Sequence, residues 1–333
     1  MADPAKASAK ASATPATPPA RPSLAEEAAE WAPLLLAFAW RAAQCWAVTL
    51  LASLAFLERP DPDSPPQLAV ERGTFVAAMG AVGTAASAWA FARAVAKPGA
   101  SVGAVRFAAM PVATVFLVTQ LALDLVVVVP MSGVSLERYV ADAGARYLGK
   151  TITLAFVVDG VAGAATRARD PSEEKSNVLC FLMLLARSPL TWAAPYSVSF
   201  YFFAAPDEDA KKAGRFSGHM LVTEELFESS MFIARSLAFA YFANKVFDDV
   251  GPRRIARWAP YVALVFWAAN LALDVAVTAY VRVDKPQPLR YVAQIALGNL
   301  ALVPLAWLAN TVAKHAQRFP EPASRRRRRD VDD

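Results

Sequence analysis

The chain has 333 residues, of which 56% are apolar and 19% charged, and its formal net charge is +5. A soluble domain carries about a quarter of its residues as charges, so this composition excludes an ordinary soluble fold and makes the bilayer the expected solvent. The positive charge lies in tails and loops with no nucleic-acid-binding motif beside it, which points to membrane orientation and anionic lipid headgroups and away from nucleic acid.

Residues 1–30 form an Ala/Pro/Ser/Thr/Lys tract with almost no large apolar side chains, and it reads as a disordered cytosolic tail. It lacks the apolar centre of a secretory signal. Its poverty in acids resembles an organelle transit peptide, against which stand Asp3, the many prolines and Glu26, Glu27 and Glu30. Apolar spans follow at approximately 31–57, 74–96, 107–129, 148–165, 177–203, 220–243, 259–281 and 291–312, each able to cross a hydrocarbon core about 30 Å thick. The short alternating segments of a strand barrel are not visible. The expected fold class is therefore all-α, a polytopic membrane bundle of about eight transmembrane helices. The fourth span is short and carries Lys150 near its start and Asp159 inside, so leaving it out gives a seven-span alternative.

Cytoplasmic segments carry the excess of Lys and Arg. The N-terminal tail, the even-numbered loops and the basic tail 313–333 hold about 19, against about 11 on the other side, which places both termini in the cytoplasm. The run Arg325, Arg326, Arg327, Arg328 and Arg329 fits attraction to anionic headgroups, and equally a solvated stop-transfer segment.

An internal repeat organises the spans. Val112 to Val127 aligns with Val262 to Val277, with identical Leu-Ala-Leu-Asp tetrads ending at Asp124 and Asp274. In the same order, Arg41 and Trp46 match Arg187 and Trp192, and Gly73, Phe75 and Met79 match Gly214, Phe216 and Met220. Ala92-Arg93 matches Ala234-Arg235, Val102-Gly103 with Arg106 and Ala108 matches Val250-Gly251 with Arg254 and Ala256, and Arg146-Tyr147 matches Arg290-Tyr291. The pattern predicts two tandem four-helix repeats, 31–165 and 177–312, joined by a linker at 166–176. An even number of spans returns the chain to its starting side, so the halves should be parallel repeats about an axis along the membrane normal.

A charge near the bilayer centre costs about 2.5 to 3.5 kcal/mol on insertion scales, so charges inside spans are candidate functional residues. Arg41 and Arg187 lie about ten residues into their spans, roughly 15 Å along a helix. With Arg93 and Arg235 they form an expected basic layer toward the cytoplasm. Asp124 and Asp274 form an acidic layer toward the other face, and Gln120 and Asn270, one turn earlier, share their helix faces. These eight residues are the candidates for a substrate pathway, with forked arginine contacts suited to an anion or phosphate. Snorkelling to the interface and pairing between helices is the alternative. Asp159 has no matching acid in the second half.

Cys45 and Cys180 fall inside apolar spans and read as small packed hydrophobes. His219 and His315 are the two histidines, too few for a haem or zinc enzyme, so no cofactor or metal is expected. The segment Glu224-Glu225-Leu226-Phe227-Glu228-Ser229 resembles the Glu-Glu-x-x-x-Arg motif of the CAAX-type intramembrane proteases. Ser229 stands where that family has arginine, and the family's downstream membrane histidines are missing. Leu273-Asp274-Val275 resembles the retinal-binding helix of microbial rhodopsins, but Thr278 occupies the position of the lysine. The expected role is passage of a small solute or ion between two repeats. A non-transporting scaffold or lipid-interacting protein is the alternative, an intramembrane protease comes third, and an enzyme is not the favoured reading.

Overall fold

The computed structural model describes residues 24–58, 67–132, 135–166, 175–205, 208–209, 220–251, 253–281 and 288–319. The chain divides into a unit of residues 1–34 and a unit of residues 35–333. The contacts below belong to the second unit.

Helix α1 (Leu24–Leu54) leads through a two-residue antiparallel hairpin, Leu57–Glu58 with Gln67–Leu68, into α2 (Arg72–Val95). Helix α3 (Val102–Leu123) starts at Ser101, whose hydroxyl accepts from the Ala104 amide at 3.3 Å. It widens into a π-helical turn at Asp124–Val128. After a second π-helical turn at Val140–Gly144 comes α4 (Ala145–Thr166). Ser176 caps α5 (Asn177–Ser199), and Thr223 caps α6 (Glu224–Val250). Helix α6 ends at Gly251, whose φ of 82° suits a residue without a Cβ. Helix α7 (Ile255–Val281) is followed by α8 (Pro288–Asn299) and α9 (Leu302–Arg318), separated by a tight turn at Leu300 and Ala301.

Helices suit this composition because each satisfies its own backbone polar groups where no water reaches. Seven segments are long and apolar enough to cross a membrane: Ala32–Leu54, Arg72–Val95, Val102–Val128, Ala145–Thr166, Asn177–Phe202, Ile255–Val277 and Ala296–Arg318. The chain is a multi-pass integral membrane protein. The helix that falls short of eight is α6, not the short fourth span. Its 27 residues extend about 40 Å, but Arg235 breaks the apolar stretch between Glu228 and Lys245.

Helix α4 occupies the centre, packed on α3, α6 and α9, with Leu154, Ala155, Val157, Val158, Val161 and Ala162 almost without exposure. Lipid supplies little drive for apolar helices to associate, so small residues that let backbones approach carry the packing. A Cβ on Gly149 would lie 2.8 Å from Ile233 Cγ1 and 3.2 Å from its Cα, and one on Gly160 would lie 2.1 Å from the Asn244 carboxamide. Both the two glycines and their two partners are 11 residues apart, so α4 and α6 run in the same direction. Helix α6 thus travels beside a spanning helix even though its charges set it apart.

The helix contacts come in matched sets. Helix α3 packs on α4 as α7 packs on α9, α4 meets α6 as α9 and α8 meet α2, and α4 and α9 touch each other.

Candidate functional site: two matched polar clusters

The aspartates of the two tetrads are both buried, 3% and 7% exposed. Each is held by the tryptophan singled out beside the early arginine. Trp46 on α1 donates its indole N–H to Asp124 Oδ1 at 2.6 Å, and Trp192 on α5 donates to Asp274 Oδ1 at 2.7 Å. The amides one turn earlier also find matched partners. Gln120 Nε2 donates to Cys45 Sγ at 3.2 Å, while Asn270 Nδ2 donates to Thr191 Oγ1 at 2.6 Å and to the Phe266 carbonyl at 2.7 Å. Cys45 and Thr191 each immediately precede the tryptophan. Below them, Phe91 meets Phe116 edge to face at 5.5 Å, and Phe239 meets Phe266 the same way at 5.6 Å.

Buried faces follow the same register. On α1 the buried residues Phe38, Ala42 and Cys45 are spaced as Leu184, Ser188 and Thr191 on α5. On α3 the series Val105, Ala109, Val112, Ala113 and Phe116 is spaced as Ile255, Ala259, Val262, Ala263 and Phe266 on α7.

Two of the aligned blocks do not survive this register. The ring contacts set Ala90-Phe91-Ala92 against Ala238-Phe239-Ala240, so Arg93 corresponds to Tyr241 and not to Arg235. In helices this rich in alanine, an Ala-Arg pair matches by coincidence. Likewise Val102-Gly103 opens α3, whereas Val250-Gly251 closes α6. Arg106 pairs with Asp159 at 2.6 Å, while Arg254 bonds the Lys175 carbonyl at 2.7 Å and Asn177 Oδ1 at 2.8 Å.

The clusters differ in what else they hold. In the first, Lys150 on α4 is buried, donates to Gln120 Oε1 at 3.1 Å and lies 4.6 Å from the centre of the Tyr147 ring. Ser87 on α2 lies 3.1 Å from Cys45 Sγ. Asp124 begins the π-helical turn, and its buried carboxylate has the Tyr147 hydroxyl beside it. In the second, α7 continues as regular α-helix through Asp274, and Arg235 Nη2 stands 3.9 Å from Asp274 Oδ1.

Of the expected basic layer, Arg235 alone stands beside an expected acidic residue, Asp274. Arg235 and Lys150 both stand in the same clusters as the aspartates, because a carboxylate inside a membrane draws a cation to it. Arg93 is exposed, 5.8 Å from the Trp89 ring centre. Arg41 and Arg187 are both half-buried but bound differently. Arg41 donates to Gln44 Oε1 at 2.9 Å on its own helix. Arg187 donates to the Lys245 carbonyl at 3.0 Å and pairs with Asp249, which also takes Lys175 at 2.5 Å. Burial opposes ionisation of Asp249, but hydrogen bonds from Lys175 and Arg187 and their charges outweigh it and hold its carboxyl below the usual carboxylate range.

Sequence reasoning missed Lys150, Lys175 and Asp249 as site residues. The signal for Lys150 was present: a lone lysine inside an apolar run, one turn after a tyrosine. Arg325 to Arg329 and His219 lie outside the described residues, as do the side chains of Glu224, Glu225, Glu228, Ser229 and Thr278. No family model, curated protein or solved structure matches the chain.

Proposed function

We propose that this membrane protein passes a small solute or ion, and that it is built from two parallel four-helix repeats with both termini in the cytoplasm. The paired Trp–Asp hydrogen bonds, the paired amide contacts and the shared burial register support the duplication. The parallel course of α4 and α6 supports eight crossings, with α5 returning the chain between them. The observation that carries passage is the first cluster. There the lysine and the aspartate are both buried, whereas in the second half the cation beside the buried Asp274 is the exposed Arg235, so the first cluster encloses a pair of charges that a structural clamp does not need. In this reading the arginine tail, Arg325 to Arg329, holds anionic headgroups.

Flux of sodium, potassium, chloride and protons into liposomes containing the purified chain tests it. Passage predicts that Asp124→Asn and Lys150→Met each lower the flux of at least one of these ions about tenfold or more, equivalent to losing about 1.4 kcal/mol. The scaffold reading is favoured by a different observation, the pairing of Arg187 with Asp249 and of Arg106 with Asp159. It predicts no flux above empty liposomes.

A further inference from the structure

We infer that Arg106 and Asp159, at the seam of α3 and α4, bind the headgroup of one phospholipid that joins a phosphate to a primary ammonium, as phosphatidylethanolamine does. The guanidinium takes the phosphate and the carboxylate takes the ammonium. The inference does not rest on passage of an ion, since α3 and α4 are long and apolar enough to cross a membrane whatever the chain carries.

The pair stands at the height of headgroups. Arg106 comes four residues after Val102, the start of α3, and Gly163 three residues before Thr166, the end of α4. Each is about one turn, roughly 5 Å, from its helix end. A Cβ on Gly163 would lie 3.7 Å from Arg106 Cζ, so the guanidinium rests across the glycine near both ends. A helical side chain leans toward the N-terminus of its helix, which for α3 is the membrane surface. Asp159, one turn deeper on α4, accepts from Arg106 Nε on Oδ1 at 2.6 Å.

Both partners keep capacity for a ligand. Neither bonds another described residue, which leaves Nη1 and Nη2 of the fork and Oδ2 of the carboxylate. Their side chains are 40% and 42% exposed, and the apolar residues beside them share that exposure. Phe156, three residues before Asp159, is 48% exposed, and Met110, one turn after Arg106, is 53% exposed. An apolar strip below a charged pair suits an acyl chain below its headgroup. The pair is neutral as a whole, so it complements a zwitterion. Its carboxylate gains hydrogen bonds from a primary ammonium that a trimethylated one lacks.

The second half packs the corresponding helices without these charges. Buried Leu154, Val158 and Val161 on α4 are spaced as Leu305, Ala309 and Val312 on α9, which sets Asn310 at the place of Asp159. The register of Val105 with Ile255 sets Ala256 at the place of Arg106. Holding such a helix pair together therefore needs no ion pair at this point, and the one in the first half is available to a lipid.

Native mass spectrometry of the full chain in detergent, titrated with dioleoyl phosphatidylethanolamine, its N-methylated forms and phosphatidylcholine, reads bound lipid without transport. The inference expects one phosphatidylethanolamine retained at about tenfold lower concentration than phosphatidylcholine, with affinity stepping down as N–H donors are removed. Asp159→Asn should erase that preference while phosphatidylcholine still binds, and Arg106→Gln should weaken both lipids about tenfold. Should Arg106→Gln not fold, Arg106→Lys keeps the ion pair, loses the planar fork and should weaken both lipids in the same direction. Equal binding across the methylation series in the native chain overturns the inference. So does a preference unchanged in Asp159→Asn, or lipid affinity unchanged in both arginine variants, because the lipid then sits elsewhere. If Asp159→Asn does not fold, the methylation series in the native chain and in Arg106→Lys decides.

Discussion

The first and second halves tie their first helix to their third with the same bond, tryptophan to aspartate, at nearly the same length, 2.6 and 2.7 Å. Around that bond they diverge. The first half adds a buried lysine, a thiol and a π-helical turn, while the second adds an arginine 3.9 Å away and leaves the helix regular. Under the proposed duplication, a bond kept in both places belongs to the scaffold, and the features present in one place are where the halves differ. The comparison also shows which interactions do the holding. Asp124 has the Trp46 indole and the Tyr147 hydroxyl beside it, whereas Asp274 has the Trp192 indole and an arginine nearby.

The largest expected effect separates the halves on that point. Trp46→Phe strips the indole donor from a buried carboxylate and should destabilise the chain by about 3 kcal/mol, the upper end for an orphaned buried acceptor. Trp192→Phe leaves Arg235 close to Asp274 and should cost about 1 kcal/mol. Unfolding of the two variants in detergent, compared with the native chain, measures the difference. Equal losses would mean that Arg235 contributes nothing to Asp274.

The seam between the halves is the next place to test. Gly160→Ala puts a methyl against the Asn244 carboxamide, which must swing away and give up its 2.8 Å bond to the Phe156 carbonyl. Gly149→Ala meets the Ile233 backbone, which can move only with α6. Each should cost about 2 kcal/mol, within the range for overpacked interiors. Gly80→Ala, where nothing lies within 4 Å of the added Cβ, is the matched control and should be neutral or slightly stabilising. Thermal midpoints of the three variants measure it.

Much of this was legible in the sequence, for reasons that can be traced. Apolar length located the spanning helices, because burial in lipid demands it of consecutive residues. The tetrads ending at Asp124 and Asp274 fixed the register of α3 and α7, and the tryptophans five residues after Arg41 and Arg187 marked the partners without showing what they bind. What was not legible depends on contacts between distant parts of the chain. Asp159 finds Arg106, 53 positions earlier, and no local pattern carries that pairing. Lys150 looked like the edge of a doubtful span, yet α4 is central and the lysine is buried against α2 and α3. Short matches such as Ala-Arg misled because alanine-rich helices repeat them freely, and the ring contacts of Phe91 and Phe239 correct the register by six residues.

Acid should act on the cluster of Lys175, Arg187 and Asp249 at the end of α6. Asp249 is held below the ordinary carboxylate value, so its contribution is fully present above the unfolded value of about 3.9 and is lost as pH falls through the lower folded value. The sign follows from the unfolded chain binding the proton more readily. Asp249→Asn should flatten the acid limb of a stability profile against pH, measured by unfolding in detergent.

The smallest expected effect concerns the two arginines that the repeat aligns most plainly. Arg41 and Arg187 sit in the same Arg-x-x-x-x-Trp context and at the same buried register, which predicts equal sensitivity to lysine. Their partners predict otherwise. Arg187 Nη1 makes both bonds, to the Lys245 carbonyl and to the Asp249 carboxylate on α6, and a lysine is one bond too short to place its ammonium at that point without shifting. Arg187→Lys should therefore cost about 1 kcal/mol, the worth of one such bond. Arg41 bonds Gln44 on its own helix, three residues on, a contact worth a few tenths of a kcal/mol that a lysine can replace. Arg41→Lys should therefore stay within about 0.5 kcal/mol of the native chain. The double variant Arg187→Lys with Asp249→Asn isolates the pair, since its arginine-to-lysine cost should fall toward that of Arg41→Lys once the carboxylate is gone. Equal costs for the two single variants would return Arg41 and Arg187 to equivalent roles and confine the divergence of the halves to the tryptophan–aspartate clusters.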